Sequence, residues 1–152
     1  MNFIKKHLKN ERGLTLIELL AVVVILGIIA AIAIPSIGGL INNSKKDAHI
    51  ANAQQMVSGA RTAVAGNDEL VSDNLLKTKA ASITLAQLEA NGYVEPITDP
   101  STKEKYKSGV VSITKDATTG ALSFTVQLTG ADDYFKTVKD PNKLTRSDVV
   151  LP

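Results

Sequence analysis

A single carboxylate stands near the start of a long apolar run. Glu18 and Thr15 are the polar residues among the 21 positions from Leu14 to Ile34. An ionised carboxylate at membrane depth costs about 2.5–3.5 kcal/mol on insertion scales, so we expect this one to have a partner. Cleavage between Gly13 and Leu14 would create such a partner, because the new α-amino group is a cation at the same interface.

The apolar run has the length of a membrane-spanning helix. At about 1.5 Å per residue, the segment from Leu14 to Ile34 would extend for about 30 Å, the thickness of a hydrocarbon core. Residues 42–152 have ordinary globular composition instead. We therefore expect three parts: a leader at 1–13, a transmembrane helix at 14–41, and an extracytoplasmic domain at 42–152.

The positive charge of the chain belongs to the leader. Residues 1–13 contain four basic residues and one acidic residue, whereas residues 42–152 contain 13 of each kind. The positive-inside bias therefore favours a cytoplasmic N-terminus. A neutral domain offers no general electrostatic case for binding nucleic acid. The sequence contains no cysteine, which excludes disulfides, thiol nucleophiles and cysteine metal sites.

Two ordinary interpretations of the N-terminal segment leave Glu18 unexplained. A secretory signal peptide would fit the basic start and the small residues of Ala31-Ile32-Ala33, but its apolar region is usually about 7–15 residues long. A plain membrane anchor fits the length of the run and leaves the carboxylate without a partner. Both remain alternatives at this point.

The segment from Gly13 to Leu20, Gly-Leu-Thr-Leu-Ile-Glu-Leu-Leu, resembles the processing motif of type IV prepilins and type II secretion pseudopilins. In that family a short basic leader ends in Gly, and the fifth mature residue is Glu. Pro35 also matches, as the twenty-second mature residue. Leu14 departs from the usual Phe, which puts the efficiency of methylation in question rather than the cleavage.

The resemblance implies cleavage after Gly13 by a prepilin peptidase, N-methylation of Leu14, and polymerisation of the apolar helices into a filament. It also implies that Glu18 pairs with the amine of Leu14 in a neighbouring subunit. The implied partners are other copies of the chain, other pilins, the peptidase and methyltransferase, a membrane platform protein and an assembly ATPase. Before assembly the chain would cross the cell membrane once, and afterwards it would lie in a pilus at the cell surface.

Gly27 and Pro35 are expected to interrupt the regularity of the helix, since Pro removes a backbone donor and disfavours helix at the residue before it. The resemblance adds that such helices can loosen between these two positions during assembly.

The helix is predicted to continue into the domain and to end near Gly66-Asn67. Its buried stripe has spacings of three and four: Ile50, Ala53, Val57, Ala60 and Val64. We expect four other residues to lie elsewhere on the helix surface: His49, Asn52, Gln55 and Gly59. Residues 67–83 are predicted to form a loop, with a turn of helix near Leu75-Leu76.

A short helix should follow that loop, because Thr84 and Gln87 form a capping-box pattern and Gly92 provides a stop. Pro96 and Asp99-Pro100 predict turns. Residues 85–94 also resemble the Leu-x-x-Leu-x-x-x-Gly-Tyr-Val stretch of competence-type pseudopilins from Gram-positive bacteria.

Alternation of apolar and polar residues from Leu122 to Thr129 predicts a strand with one buried face. Val111 and Ile113 belong to the predicted partner strand, with a turn over residues 116–120. The last apolar groups are predicted to form a further strand or closing segment at Tyr134, Phe135 and Val138, and an edge strand or loose tail at Val149, Val150 and Leu151. The fold class is therefore α+β, with the long N-terminal helix packed on a small antiparallel sheet, as the type IV pilin resemblance also implies.

No set of residues predicts catalysis, a cofactor or a metal site. His7 and His49 are far apart in the sequence, and Asp116, Asp132 and Asp133 do not have calcium-loop spacing. Lys103, Lys105 and Lys107 alternate, which would place three ammonium groups on one face of a strand, either as a solvated edge or as a contact for DNA or lipid. We expect a structural subunit; the alternative is a membrane-anchored binding module, such as an adhesin or sensor, that does not polymerise.

Overall fold

The computed structural model describes residues 15–69, 71, 78–130, 133–135 and 140–151. Several residues named above lie outside these ranges: His7, Gly13, Leu14, Leu75, Leu76, Asp132 and Val138. The chain divides into two units between Leu40 and Ile41. Each unit is described by itself below.

The first unit consists, in its described part, of the N-terminal portion of helix α1, which runs from Leu16 to Ala65. Its large apolar side chains are solvent-exposed, from 46% at Val22 to 87% at Leu16. An apolar helix surface of this kind suits a bilayer or a filament core. In the described part of the chain, α1 is the helix long and apolar enough to cross a membrane.

Helix α1 continues through Gly27 and Pro35 without a break, so the expected interruption of the helix at these positions is wrong for this structure. A proline inside a helix removes one intrahelical hydrogen bond. The helix nevertheless continues on both sides of Pro35.

In the second unit, the C-terminal part of α1 supplies one wall of the hydrophobic core. The predicted stripe is confirmed: Ala53, Val57 and Ala60 are buried, and Ile50 and Val64 pack against the core. Helix α1 ends at Ala65, and Asn67 then takes a left-handed conformation with φ of 51°.

Two residues expected on the surface of α1 are buried, namely His49 and Gly59. Gly59 lies against residues 93–94, where the lack of a side chain permits close approach. His49 is buried because it has polar partners inside the domain, which helical periodicity alone does not reveal.

A three-stranded antiparallel sheet forms the other side of the core, with strand order β1-β2-β3. The strands are β1, Ala80–Thr84; β2, Ser108–Lys115; and β3, Leu122–Thr129. Val111 pairs with Ile83 on one side and with Val126 on the other, which stacks three buried aliphatic side chains in one row. The predicted β2–β3 hairpin, with its turn over 116–120, is confirmed.

Strand β1 was not predicted, because residues 67–83 were expected to form a loop. Its sequence, Ala-Ala-Ser-Ile-Thr, alternates buried and exposed positions, with only Ala81 and Ile83 buried. Alanine gives little hydrophobic contrast, so the period-two pattern is faint. The strand is stabilised by pairing with β2 rather than by a strong local signal.

Helix α2, Leu85–Ala90, starts directly at the end of β1 with the predicted capping box. The Gln87 backbone N–H donates to Thr84 Oγ1 at 3.2 Å, and the Thr84 N–H donates to Gln87 Oε1 at 2.9 Å. Gly92 follows at φ of 72°, as expected for a residue that ends a helix. Leu85 and Leu88 bury the inner face of α2 in the core.

The predicted closing segment is confirmed at Tyr134 and Phe135, whereas residues 149–151 are neither an edge strand nor a loose tail. A 3-10 helix covers Pro141–Lys143, and Phe135 forms an isolated β-bridge with Val149. The Val150 N–H donates to the Tyr134 carbonyl at 2.8 Å. Tyr134, Phe135 and Val149 are buried, so this segment closes one side of the core.

The three alternating lysines do not share a strand face, contrary to expectation. Lys103 has φ of 67° in a bend, and Lys105 forms only an isolated bridge to Thr98. Lys107 precedes β2. Pro100 lies in a turn as predicted, whereas Pro96 lies in irregular backbone. The architecture is α+β, a long N-terminal helix packed against a small antiparallel sheet, consistent with the expected type IV pilin fold.

Candidate assembly site

The carboxylate of Glu18 forms a capping box with Thr15 at the start of α1. The backbone N–H of Thr15 donates to Glu18 Oε2 at 2.8 Å, and the Thr15 hydroxyl donates to the same oxygen at 2.7 Å. In return, the Glu18 N–H donates to Thr15 Oγ1 at 3.3 Å. This reciprocal arrangement satisfies backbone donors that a helix start leaves open.

Both bonds that Glu18 accepts end on Oε2. Its other oxygen, Oε1, accepts no hydrogen bond from the described residues. A carboxylate has several acceptor positions, so Oε1 can take a further donor without breaking the cap. The cap therefore engages Oε2 and leaves Oε1 open.

The surface around Glu18 is apolar and bare. Ile17 is 72% exposed and Leu19 is 55% exposed, with no described residue of the chain packed over them. Farther along α1, a methyl group added at Gly27 would meet no atom within 4 Å. This part of the helix is thus a continuous apolar surface with one charge near its start.

A second polar cluster was missed in the sequence. Here it is called the buried histidine cluster, and it comprises His49, Asn52, Asp99, Ser101, Tyr106 and Tyr134. Nδ1 of His49 lies 2.8 Å from the Tyr106 hydroxyl, and Nε2 lies 3.0 Å from Ser101 Oγ. The Tyr134 hydroxyl donates to Asp99 Oδ2, and the Tyr134 ring lies against the imidazole with centroids 3.9 Å apart.

The cluster contains Ser, His and Asp but not in the arrangement of a hydrolase triad. Ser101 and Asp99 both face Nε2 of His49, with Asp99 Oδ1 at 3.8 Å, whereas Nδ1 faces Tyr106. In a triad the base contacts the nucleophile through one nitrogen and its orienting group through the other. His49 and Asp99 are also completely buried, which leaves no access for a substrate.

Sequence spacing offered little sign of this cluster. Its members come from α1, from the segment 98–106 and from residue 134, so fifty or more residues separate His49 from Asp99 and Ser101. The one local signal was Asp99 before Pro100 with Ser101 two positions on. Asp99 Oδ1 accepts the Ser101 N–H at 2.7 Å, which is a turn-forming bond typical of Asp.

Other candidate ligand-binding residues remain dispersed. A groove of about 400 Å³ lies beside α2, with the aliphatic parts of Leu85 and Ile97 in its wall and Lys105 and Lys107 along it. Among the described residues, no three His, Asp or Glu side chains form a group that could hold a metal ion. Asp116 instead accepts the backbone N–H groups of Thr118 and Thr119 within its own turn, and these bonds lower its pKa.

Comparison with known proteins supports the assignment of the N-terminal segment. Residues 8–34 match the prokaryotic N-terminal methylation motif, which is type IV prepilin-like. The match covers Gly13, Leu14, the apolar start of α1 and Glu18. No solved structure matches the chain. The predicted resemblance to type IV pilin and pseudopilin precursors is confirmed for this segment, and the motif generally implies peptidase processing and self-assembly.

Proposed function

We propose that this chain is a structural subunit of a type IV pilus or pseudopilus. The observation that carries the proposal is the combination of the methylation motif at residues 8–34 with a bare apolar helix that has one carboxylate near its start. A bilayer can cover that surface before assembly, and the helices of neighbouring subunits can cover it afterwards.

In this proposal the chain is stored as a single-pass membrane protein with a cytoplasmic leader. Cleavage between Gly13 and Leu14 removes the leader, and Leu14 is then N-methylated. The assembled subunits lie in a filament at the cell surface. A platform protein and an assembly ATPase would drive the extraction, as expected from the resemblance.

The charge of Glu18 sets the register of the subunits. The α-amino group of Leu14 in one subunit approaches Glu18 in its neighbour, and Oε1 is the oxygen that remains open to it. A buried ion pair adds little net stability, because both charges must lose water. Removing one partner leaves the other charge buried and unpaired, which costs about 3–5 kcal/mol. Misaligned subunits are therefore disfavoured.

Residues 27–35 are proposed to loosen when the subunit enters a filament. Gly27 has low helix propensity, and Pro35 already lacks a backbone donor. Amide exchange of this segment in detergent-solubilised subunits and in filaments tests this step, and equal protection in both would contradict it.

A plain anchor carrying a binding domain is the alternative function. Mass spectrometry of the chain isolated from cells separates the two. We expect the mature protein to begin at Leu14 and to carry one added methyl group. An intact Met1, or a start after Ala33, would exclude the prepilin assignment.

A further inference from the structure

The buried histidine cluster joins α1 to the segment 98–106. From α1, His49 contacts Tyr106 and Ser101. Asn52, one helical turn later, donates to the Thr98 carbonyl at 3.1 Å and to the Tyr106 hydroxyl at 2.9 Å. Polar side-chain contacts therefore join the segment to the helix, beside the core packing of Tyr106.

The donors and acceptors in this cluster fix the proton positions. The Thr98 carbonyl can only accept, which orients the Asn52 amide with its nitrogen toward Tyr106. Tyr106 therefore accepts from Asn52 and has one proton left to donate, which it gives to Nδ1 of His49. The ring proton is then on Nε2, facing Ser101 Oγ and Asp99. The arrangement requires a neutral imidazole with Nδ1 as acceptor.

We propose that the buried histidine cluster is an acid-sensitive contact, in which a proton added to Nδ1 of His49 releases the segment 98–106 from α1. With that proton in place, the imidazolium N–H points at the proton of the Tyr106 hydroxyl. The hydroxyl already receives the Asn52 amide, and among the described residues its own proton has no acceptor other than Nδ1 of His49. An unsatisfied buried donor is costly, and separation of the two elements relieves the conflict.

The charges around the ring favour the neutral form at physiological pH. Burial lowers the pKa of His49, Asp99 from the segment 98–106 opposes this effect, and Lys45 from α1 adds to it. Asp99 also accepts bonds from Tyr134 and from the Ser101 N–H, so its charge does not serve the histidine alone. The other titratable groups against the ring are Tyr106 and Tyr134, and burial raises the pKa of Tyr106 strongly.

Acidification would free one segment and leave the sheet in place. The segment 98–106 contains Lys103 and Lys105, and together with α2 it borders the 400 Å³ groove. Strands β2 and β3 hold each other through eight register pairs that do not involve His49. Release is therefore a local change in the domain rather than its unfolding.

Amide exchange measured by NMR on the full chain in detergent micelles tests the proposal. The reporters are the side-chain N–H groups of Asn52, which bond across the contact to the Thr98 carbonyl and the Tyr106 hydroxyl. The reference is the set of amides in β2 and β3. Between about pH 7 and pH 5, we expect protection of the reporters to fall by on the order of tenfold relative to the reference. The fall should follow the protonation of His49 Nδ1 recorded in the same samples.

His49→Asn provides the matched control, because its side-chain oxygen can accept from Tyr106 but does not titrate. We expect the selective loss of protection to vanish in this variant. If the variant does not fold, the NMR signals of the wild-type His49 imidazole, compared with the protection of the reporters, test the proposal by themselves. Three results would each overturn the proposal. The neutral imidazole could carry its proton on Nδ1, or the reporters could stay protected while His49 titrates. The third is an equal loss of protection at the reporters and in strands β2 and β3.

Discussion

At the scale of single residues, Glu18 illustrates how one side chain can serve its own helix and its neighbour. Its Oε2 caps α1 through Thr15, while its Oε1 is open. The sequence alone presented Glu18 as a charge in need of a partner. In the structure Glu18 also has a local partner, Thr15, which was not expected from the charge of Glu18.

Substitution of Glu18 separates these two roles. Glu18→Ala removes both the cap and the charge, and Glu18→Gln keeps an amide that can cap the helix but carries no charge. We expect both variants to be cleaved after Gly13. We also expect both to form few or no filaments. The measurement is the amount of the subunit in sheared filaments relative to the membrane fraction. Normal filaments from the Gln variant would show that the cap, and not the ion pair, is what assembly requires.

At the scale of elements, the packing of α1 on the domain depends on small residues. Ala53, Ala60 and Ala63 are fully buried, and Gly59 lies where a methyl group would come within 2.4 Å of Val94 Cγ2. The same methyl group would lie 3.0 Å from the backbone oxygen of Tyr93, which cannot easily move. Close approach of the chain after α2 thus requires glycine at position 59.

Gly59→Ala is expected to destabilise the domain despite the better helix propensity of alanine. The propensity gain is about 1 kcal/mol, whereas overpacking costs about 1–3 kcal/mol, so we expect a net loss of up to about 2 kcal/mol. Chemical unfolding of the full chain in detergent measures it. Ser58→Ala, at the adjacent exposed position, is the control and should leave stability unchanged or slightly higher. A Gly59→Ala variant more stable than the wild type would contradict the packing argument.

The elements that the sequence predicted well have strong local signals. Helix α1, helix α2 with its capping box, and the β2–β3 hairpin each carry their own periodicity or cap. Strand β1 is short and alanine-rich, so its pairing with β2 decides its structure. The buried histidine cluster was missed for a related reason: its contacts join distant residues, and a helical histidine looks the same in sequence whether it faces water or a partner.

At the scale of the whole molecule, buried titratable groups link the stability of the domain to pH. His49 has a pKa below its usual value of 6.5 in the folded chain. Below about pH 6.5 the unfolded chain therefore binds a proton that the folded chain does not. Stability falls as the pH decreases from that value to the lower folded pKa.

Protonation of Asp99 adds a second loss of domain stability at lower pH. Burial alone would raise its pKa, but hydrogen bonds from Tyr134 and from the Ser101 and Thr102 backbone hold it below the usual 3.8. In the folded chain Asp99 stays ionised at a pH where the unfolded chain takes up a proton. Stability should thus decrease again below about pH 4.

The expected pH profile can be measured through tyrosine fluorescence, since the chain has three tyrosines and no tryptophan. Between about pH 6.5 and pH 5, we expect the free energy of unfolding to fall by up to about 1.4 kcal/mol per pH unit. In the His49→Asn variant, the free energy of unfolding should change little between about pH 6.5 and pH 5. The loss of stability below about pH 4 should remain. A wild-type profile that is level from pH 7 to pH 5 would contradict the neutral, buried state of His49.

The turn between β2 and β3 makes the chain convenient to follow in living cells. Residues 116–120 are exposed, and Asp116 braces the turn from within by accepting the Thr118 and Thr119 N–H groups. Because the bond at position 118 uses the backbone, Thr118→Cys would keep it and would introduce the one thiol of the chain. A fluorescent maleimide attached to this thiol would label each subunit at a single known position. The growth of individual filaments could then be followed by fluorescence microscopy.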